Sequence, residues 1–351
     1  MSPYLSTFKL MKKFLLTLLQ YVIFLGLGIW IVYHMLHELS PKDKSDLIDA
    51  IMSINPWYLI PIFIAGFLSH FFRALRWRYL LETMDMRPTV VNTTFAVFIG
   101  YIANLLLPRA GEVAKCTVLA KYEKLPAHKM IGTIVAERAF DILCLLVIAL
   151  SAYLLQASLI NQYFTGEPQK LSGDIERHRT TLFIIIGVLV VLIGAITMFY
   201  RRHRDNKVGR FMKEMSHGIT SIVHMKKRWQ FLGYTALIWL MYLTQIYIGL
   251  KCLHDTRHLT VLAALVVLVY GSVGMILTQG GIGLYTLLVK QILMNVYLIP
   301  KIPATAFGWI AWAVQTGIII IVGVISLLLI HTYNRRRDAK ATVDTTPDIQ
   351  P

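Results

Sequence analysis

The stretch Asn104-Leu105-Leu106-Leu107-Pro108-Arg109-Ala110-Gly111-Glu112 decides how this chain is read. It closes an apolar run that starts at Val90, and an amphipathic stretch, 112–124, follows it. Pro108 lacks an N–H and disfavours helix in the residue before it, so an apolar arm ends there. Gly111 permits a turn that other residues resist. A second arm starting near Glu112 points free helix N–H groups into the break, where an anion is favoured. Arm, break and arm make a helical hairpin that enters a membrane and leaves on the side it entered.

Composition supplies the membrane. The chain has 351 residues, of which 56% are hydrophobic and only 15% charged; a soluble domain carries about a quarter charged residues. The apolar residues fall in blocks close to the length of about 20 that spans a bilayer. These blocks are 14–33, 57–75, 130–155, 182–200, 231–250 and 304–331, so an all-α polytopic protein with about six full spans is expected. Two shorter runs, 259–278 and 282–299, adjoin at Gln279-Gly280-Gly281, with Gly283 just beyond. The net charge of +16 does not indicate a nucleic-acid partner, because the basic residues lie between apolar blocks rather than on one face. Cys116, Cys144 and Cys252 are too scattered for a disulfide framework. Lys9, Lys12 and Lys13 precede a run too long for a signal-peptide core, which reads as a retained first span.

Charge asymmetry orients the spans. The N-terminal lysines, Arg73, Arg76, Arg78 and Arg87, and Arg335 to Arg337 mark cytoplasmic ends. Between residues 201 and 228, nine Lys or Arg against two acids mark another. The acid-rich loop 36–55 and the mixed segment 161–180 read as outside. Both termini then lie in the cytoplasm, and 90–124 and 259–299 each leave on the side they entered. The chain divides into halves, 57–155 and 231–331, each a span, a hairpin and a span, starting from opposite sides. Inverted repeats with paired broken helices point to a transport site at the midplane. Ordinary short spans at 259–278 and 282–299 satisfy the same charge parity. One transmembrane domain, 1–334, and an unstructured cytoplasmic tail, 335–351, are expected.

The strongest chemical signal is Glu137, Arg138 and Asp141. Counting from Lys129, Glu137 lies about 12 Å deep and Asp141 about 18 Å, near the middle of a core about 30 Å thick. The two acids are four residues apart and share a helix face. Charges at that depth are expensive unless paired or hydrated, so they form either a structural ion-pair knot or the wall of a polar cavity. Arg109 offers a planar fork suited to phosphate. Arg73, Arg76 and Arg78 read as interfacial anchors. His254 and His258 lack a third ligand for a metal. No P-loop or dinucleotide fingerprint is present, and no cofactor or metal is expected.

The run from Asn104 through Pro108, Arg109, Gly111 and Glu112, followed by Glu137, Arg138 and Asp141, resembles the lysylphosphatidylglycerol synthase transmembrane-region family. That is the flippase-like domain of the bacterial multiple peptide resistance factor and of stand-alone relatives. The break Gln279-Gly280-Gly281-Ile282-Gly283 is similar to the family's second-half motif. Thr278-Gln279 stands where relatives often have Pro, and Lys115 where Arg is frequent. The resemblance implies a bacterial inner-membrane lipid translocase that binds a polar or anionic headgroup through Asn104, Arg109, Glu112, Glu137, Arg138 and Asp141. Pro108, Gly111, Gly280, Gly281 and Gly283 form its hairpin breaks. The fused aminoacyl-transferase domain has no counterpart here, so a stand-alone member that does not itself make an aminoacyl lipid is expected. Its partners would be a membrane phospholipid or other lipid-linked substrate, with a separate enzyme or a second copy as possible associates. An intramembrane transferase and a scaffold for a lipid-modifying enzyme are the competing readings.

Overall fold

A computed structural model describes residues 25–107, 110–157, 159 and 225–344 of the chain. Its first span is therefore described only from Leu25, and the expected span 182–200 and the breaks Pro108 and Arg109 lie outside the described residues. All regular structure among the described residues is helical. The helices are α1 (Leu25–His37), α2 (Pro41–Met52), α3 (Leu59–Glu82), α4 (Val90–Leu106), α5 (Ala110–Glu123), α6 (Ala127–Leu155), α7 (Arg228–Lys251), α8 (Val261–Leu277), α9 (Leu284–Asn295) and α10 (Lys301–Asp344).

Four of them, α3 (with the turn Pro56–Tyr58 that leads into it), α6, α7 and α10, are long and apolar enough to cross a membrane. The loop expected at 36–55 contains a helix instead. Ser40 and Asp43 build a reciprocal capping box at the start of α2, which satisfies two otherwise orphaned backbone donors. The tail expected to be unstructured from 335 is also helical in its first part, because α10 runs without a break through Arg335, Arg336 and Arg337 to Asp344.

The packing is that of an inverted repeat. Helices α3 and α7 pack on each other, and several other contacts recur in equivalent pairs: α4 packs on α10 as α8 packs on α6, and α3 on α4 as α7 on α8. Within α3–α7, Gly66 lies by Gln245, Arg73 by Tyr242, Arg76 by Thr235 and Glu82 by Lys227. Rising numbers on one helix meet falling numbers on the other, so the pair is antiparallel. A repeat axis along the membrane normal would make these equivalent helices parallel; antiparallel pairing puts it in the membrane plane, as inverted repeats require.

Glycine closes both hairpins. A Cβ on Gly111 would fall on the carbonyl oxygen of Gly100 and within 2.6 Å of Asn104 Cγ. One on Gly274 would stand 2.7 Å from Tyr285 Cα. The second break has left-handed backbone at Gly280, Gly281 and Gly283, with φ of 59°, 73° and 72°, a conformation that costs glycine little. The two breaks then meet: the Gln279 amide donates to the Asn104 carbonyl, and Leu105 packs against Gly280. Trp312 Nε1 donates to the Gly280 carbonyl at 2.9 Å. Trp312 is eleven residues into α10, which places the meeting point about 16 Å along a helix long and apolar enough to span a bilayer.

Candidate functional site: a buried charge network beside a cavity between the hairpins

Helix α3 carries Ser69, His70, Arg73, Arg76 and Trp77 on one stripe, and all five are buried. Helical spacing puts these three- and four-residue steps on a single face. That face meets Glu137 and Asp141 of α6 and Lys115 of α5. Arg73 Nη1 lies 2.6 Å from Asp141 Oδ2 and 3.4 Å from Glu137 Oε1. Arg76 contributes Nη2 to Glu137 Oε1 at 3.2 Å and Nη1 to Asp141 Oδ1 at 2.7 Å. Lys115 Nζ completes Glu137 at Oε2, 2.9 Å away. Its ammonium also sits 4.4 Å from the centre of the Trp77 ring, a cation–π contact. Glu137 retains 1% of its exposure and Arg76 none.

The contact between Arg76 and Asp141 is one of charge rather than a directed hydrogen bond. Asp141 Oδ1 accepts no aligned N–H, although the nitrogen lies at ion-pair distance. Their Coulomb attraction survives imperfect alignment because few water dipoles lie nearby to screen it.

This arrangement corrects two readings of the sequence. Arg73 and Arg76 are not interfacial anchors but the cations of the network. Arg138 does not join Glu137 and Asp141 on its own helix. It turns to Glu112 instead, its Nε 3.2 Å from Glu112 Oε1 with both side chains substantially exposed. Glu112 and Arg138 thus tie the second arm of the first hairpin to α6 at the rim of a cavity.

The cavity measures about 540 Å³ and lies among α3, α6, α7, α8, α10 and both hairpin breaks. Arg73, Glu112, Arg138 and Asp141 line one side, with Asn104 and Gln279 at the breaks. Tyr242 accepts from Arg73 Nη2 at 3.4 Å, and Gln315 Nε2 lies 2.9 Å from His70 Nε2. The remaining wall is apolar, built from residues such as Ile142, Leu145, Ile276 and Ile319. Of the six residues expected to bind, Asn104, Glu112, Arg138 and Asp141 line this cavity, Glu137 braces it from behind, and Arg109 lies outside the described residues. Gly111 closes the first hairpin. Gly280 borders the cavity, while Gly281 and Gly283 pack against Met275 and α1. Sequence reasoning missed His70, Tyr242, Gln245 and Gln315, which are single polar residues on apolar helices and carry no motif.

Paired hairpins in an inverted repeat, with four helices long and apolar enough to cross a membrane, define a polytopic integral membrane protein. More specifically, the chain belongs to the family described as the lysylphosphatidylglycerol synthase TM region, whose model matches residues 17–323. Among curated proteins it is 22% identical over 321 residues to the glycosyltransferase AglD of Haloferax volcanii, covering 82% of this chain and 51% of that one. It is 26% identical over 98 residues to a UPF0104 membrane protein of Methanocaldococcus jannaschii, covering 27% of this chain and 29% of the other. The chain thus spans about half the length of the first relative and under a third of the second. No solved structure matches it.

Proposed function

We propose that this protein is a lipid translocase: it takes the phosphate-bearing head of a membrane lipid into the cavity between the hairpins and passes it from one leaflet to the other. The observation that carries this is the composition of the cavity, with guanidinium groups of Arg73 and Arg138 on one wall and hydrocarbon side chains on the other. Such a wall matches a molecule with an anionic head and acyl tails. Arginine binds phosphate through paired N–H donors, and a cavity of this size suits a headgroup. The inverted repeat supports alternation, since two halves of like packing can exchange roles on the two sides of the membrane. The excess of Lys and Arg at the chain ends and at 201–228 supports an inner-membrane protein with both termini on the cytoplasmic side.

A second reading follows from the glycosyltransferase name of one relative: the chain modifies a lipid or serves an enzyme that does. Glu137 itself is poorly placed for proton transfer, because it is sealed from the cavity and bonded by Arg73, Arg76 and Lys115.

The test is movement of a fluorescent phospholipid between leaflets of vesicles containing the purified protein, followed by quenching from outside. Translocation is expected with the wild-type chain and should fall at least tenfold in Arg138→Ala, whose side chain is half exposed and whose loss spares the buried network. Equal movement with and without protein, or a lipid chemically altered rather than moved, overturns the proposal.

A further inference from the structure

The buried network does not balance. Arg73, Arg76 and Lys115 bring three positive charges, and Glu137 and Asp141 bring two negative ones, so 3 − 2 leaves one positive charge in excess. Glu137 is held by all three cations and Asp141 by both arginines. Glu112, the remaining carboxylate on the cavity wall, already faces Arg138. Among the described residues no acid that lines the cavity is without a cation beside it.

Apart from the His70 imidazole, the rest of the described polar lining carries no ionisable base or acid other than phenols. Tyr101, Asn104, Tyr242, Gln245 and Gln315 supply amides and phenols. Such groups both donate and accept, which fits hydroxyls. An ammonium group would need acceptors only, and would meet the repulsion of the excess charge in a region where screening is weak.

On the reading that this cavity carries a lipid, we propose that it selects a phosphate-diester head bearing uncharged hydroxyls, of the glycerol or sugar class, and excludes heads that carry an ammonium group. The phosphate supplies the single negative charge that the network lacks. The hydroxyls meet the amides and phenols. The apolar wall of Ile142, Leu145, Ile276 and Ile319 takes the upper acyl chain. An aminoacylated lipid of the kind in the family's description is a poor match to this chain, because its ammonium groups find no open carboxylate.

Native mass spectrometry of the full chain tests the selection, with equal amounts of a glycerol-headed anionic phospholipid, an ethanolamine-headed one and a lysylated one. The glycerol-headed lipid should be retained at least tenfold over either ammonium-bearing lipid. Gln315→Glu places a new carboxylate on the cavity wall and should reverse that order without touching the network or the hairpins. Lys115→Met removes the excess charge and should narrow the preference toward parity in whatever fraction folds. Retention of an ammonium-bearing lipid as well as or better than the glycerol-headed one, with lipid movement intact, overturns the selection and leaves the translocase reading standing. No retention of any lipid overturns both. Soluble glycerol phosphate bound as tightly as the lipid overturns the part assigned to the apolar wall.

Discussion

Replacing Glu137 with Gln removes the carboxylate on which three cations converge. The network would then hold three cations against Asp141 alone, a buried excess of two rather than one. Breaking a buried ion pair by removing one partner costs about 3–5 kcal/mol, because the opposite charge is left without compensation. Glu137→Gln alone should therefore lower folded yield and thermal stability sharply. Lys115→Met alone leaves Arg73 and Arg76 against two acids, an even balance, and should cost about 1.5–3 kcal/mol, the value of one charge-assisted hydrogen bond. The double change Glu137→Gln with Lys115→Met returns the excess to one. It should be more stable than the sum of the singles by about 0.5–3 kcal/mol, the range for residues in contact. Arg138→Met should give no such rescue, since Arg138 pairs with Glu112 at the rim. The assay is thermal unfolding of the purified chain in one detergent for the three singles and two doubles. Rescue by Arg138→Met but not by Lys115→Met would refute the assignment of partners. A mild effect of Glu137→Gln would refute the buried network itself and show that water reaches the carboxylate.

Three further outcomes follow from the hairpins and from α10. Gly111→Ala should prevent the first hairpin from closing, because its Cβ meets the Gly100 carbonyl, whereas Gly132→Ala on α6 meets nothing within 4 Å and should be neutral or slightly stabilising; yields of folded protein compare them. The contact of the two breaks predicts that cysteines in place of Asn104 and Gln279, in a chain lacking its own three, join through a short bifunctional reagent within one polypeptide; failure to join in native protein, with joining after denaturation, would contradict the contact. At the far end of α10, the Asn92 and Asn334 amides exchange hydrogen bonds at 2.8 Å, and Arg337 Nη1 reaches Glu123 Oε1 at 3.0 Å. Partial burial would raise the Glu123 carboxyl, but hydrogen bonds from Thr89 and Asn92 hold it below the ordinary carboxylate range. Asn334→Ala should thus cost about 1–3 kcal/mol, the penalty for leaving a buried amide unpaired, while the exposed Arg336→Ala should cost little; proteolysis of the α4–α5 base reads the difference.

The hairpins were legible because their signals are local. Pro108, Gly111 and the glycines around Gly281 interrupt apolar runs, and charge parity is compatible with a chain that turns back there. What could not be read was which helix each charge faces. The apolar run of the second span fades at Leu75, so Arg73 and Arg76 look terminal, but α3 continues to Glu82 and both arginines are buried within the bundle. The stripe Ser69, His70, Arg73, Arg76 and Trp77 was the available signal: polar residues at three- and four-residue steps along an apolar helix belong to the bundle interior. Arg138 misled for the opposite reason. Neighbours in sequence on a helix point about 100° apart, and nothing in Glu137-Arg138 says which one looks inward. Gln279 supplies the amide that links the two breaks, a contact between halves that no local signal announces.

A buried ion network and a binding cavity were alternatives when only the sequence was in view, yet the structure makes one depend on the other. Networks of this kind are weak evidence for stability, since apolar residues of similar volume often hold helices together as well or better. An unbalanced network is harder still to explain by stability, because the excess charge costs desolvation energy that no partner in the protein offsets. Its position supplies the reason. Glu137 and Arg76 are sealed from the cavity, whereas Arg73 and Asp141 line it. The sealed half fixes the orientation of the exposed half, so an entering anion meets a guanidinium already aligned and loses little entropy in ordering it. If that is why the charge is retained, its removal must be felt in binding beyond any change in stability. A substitution that balances the network, Lys115→Met above all, should weaken lipid retention by more than its modest loss of stability explains. A variant that lost stability while holding anionic lipid as before would separate the two and return the network to a purely structural role.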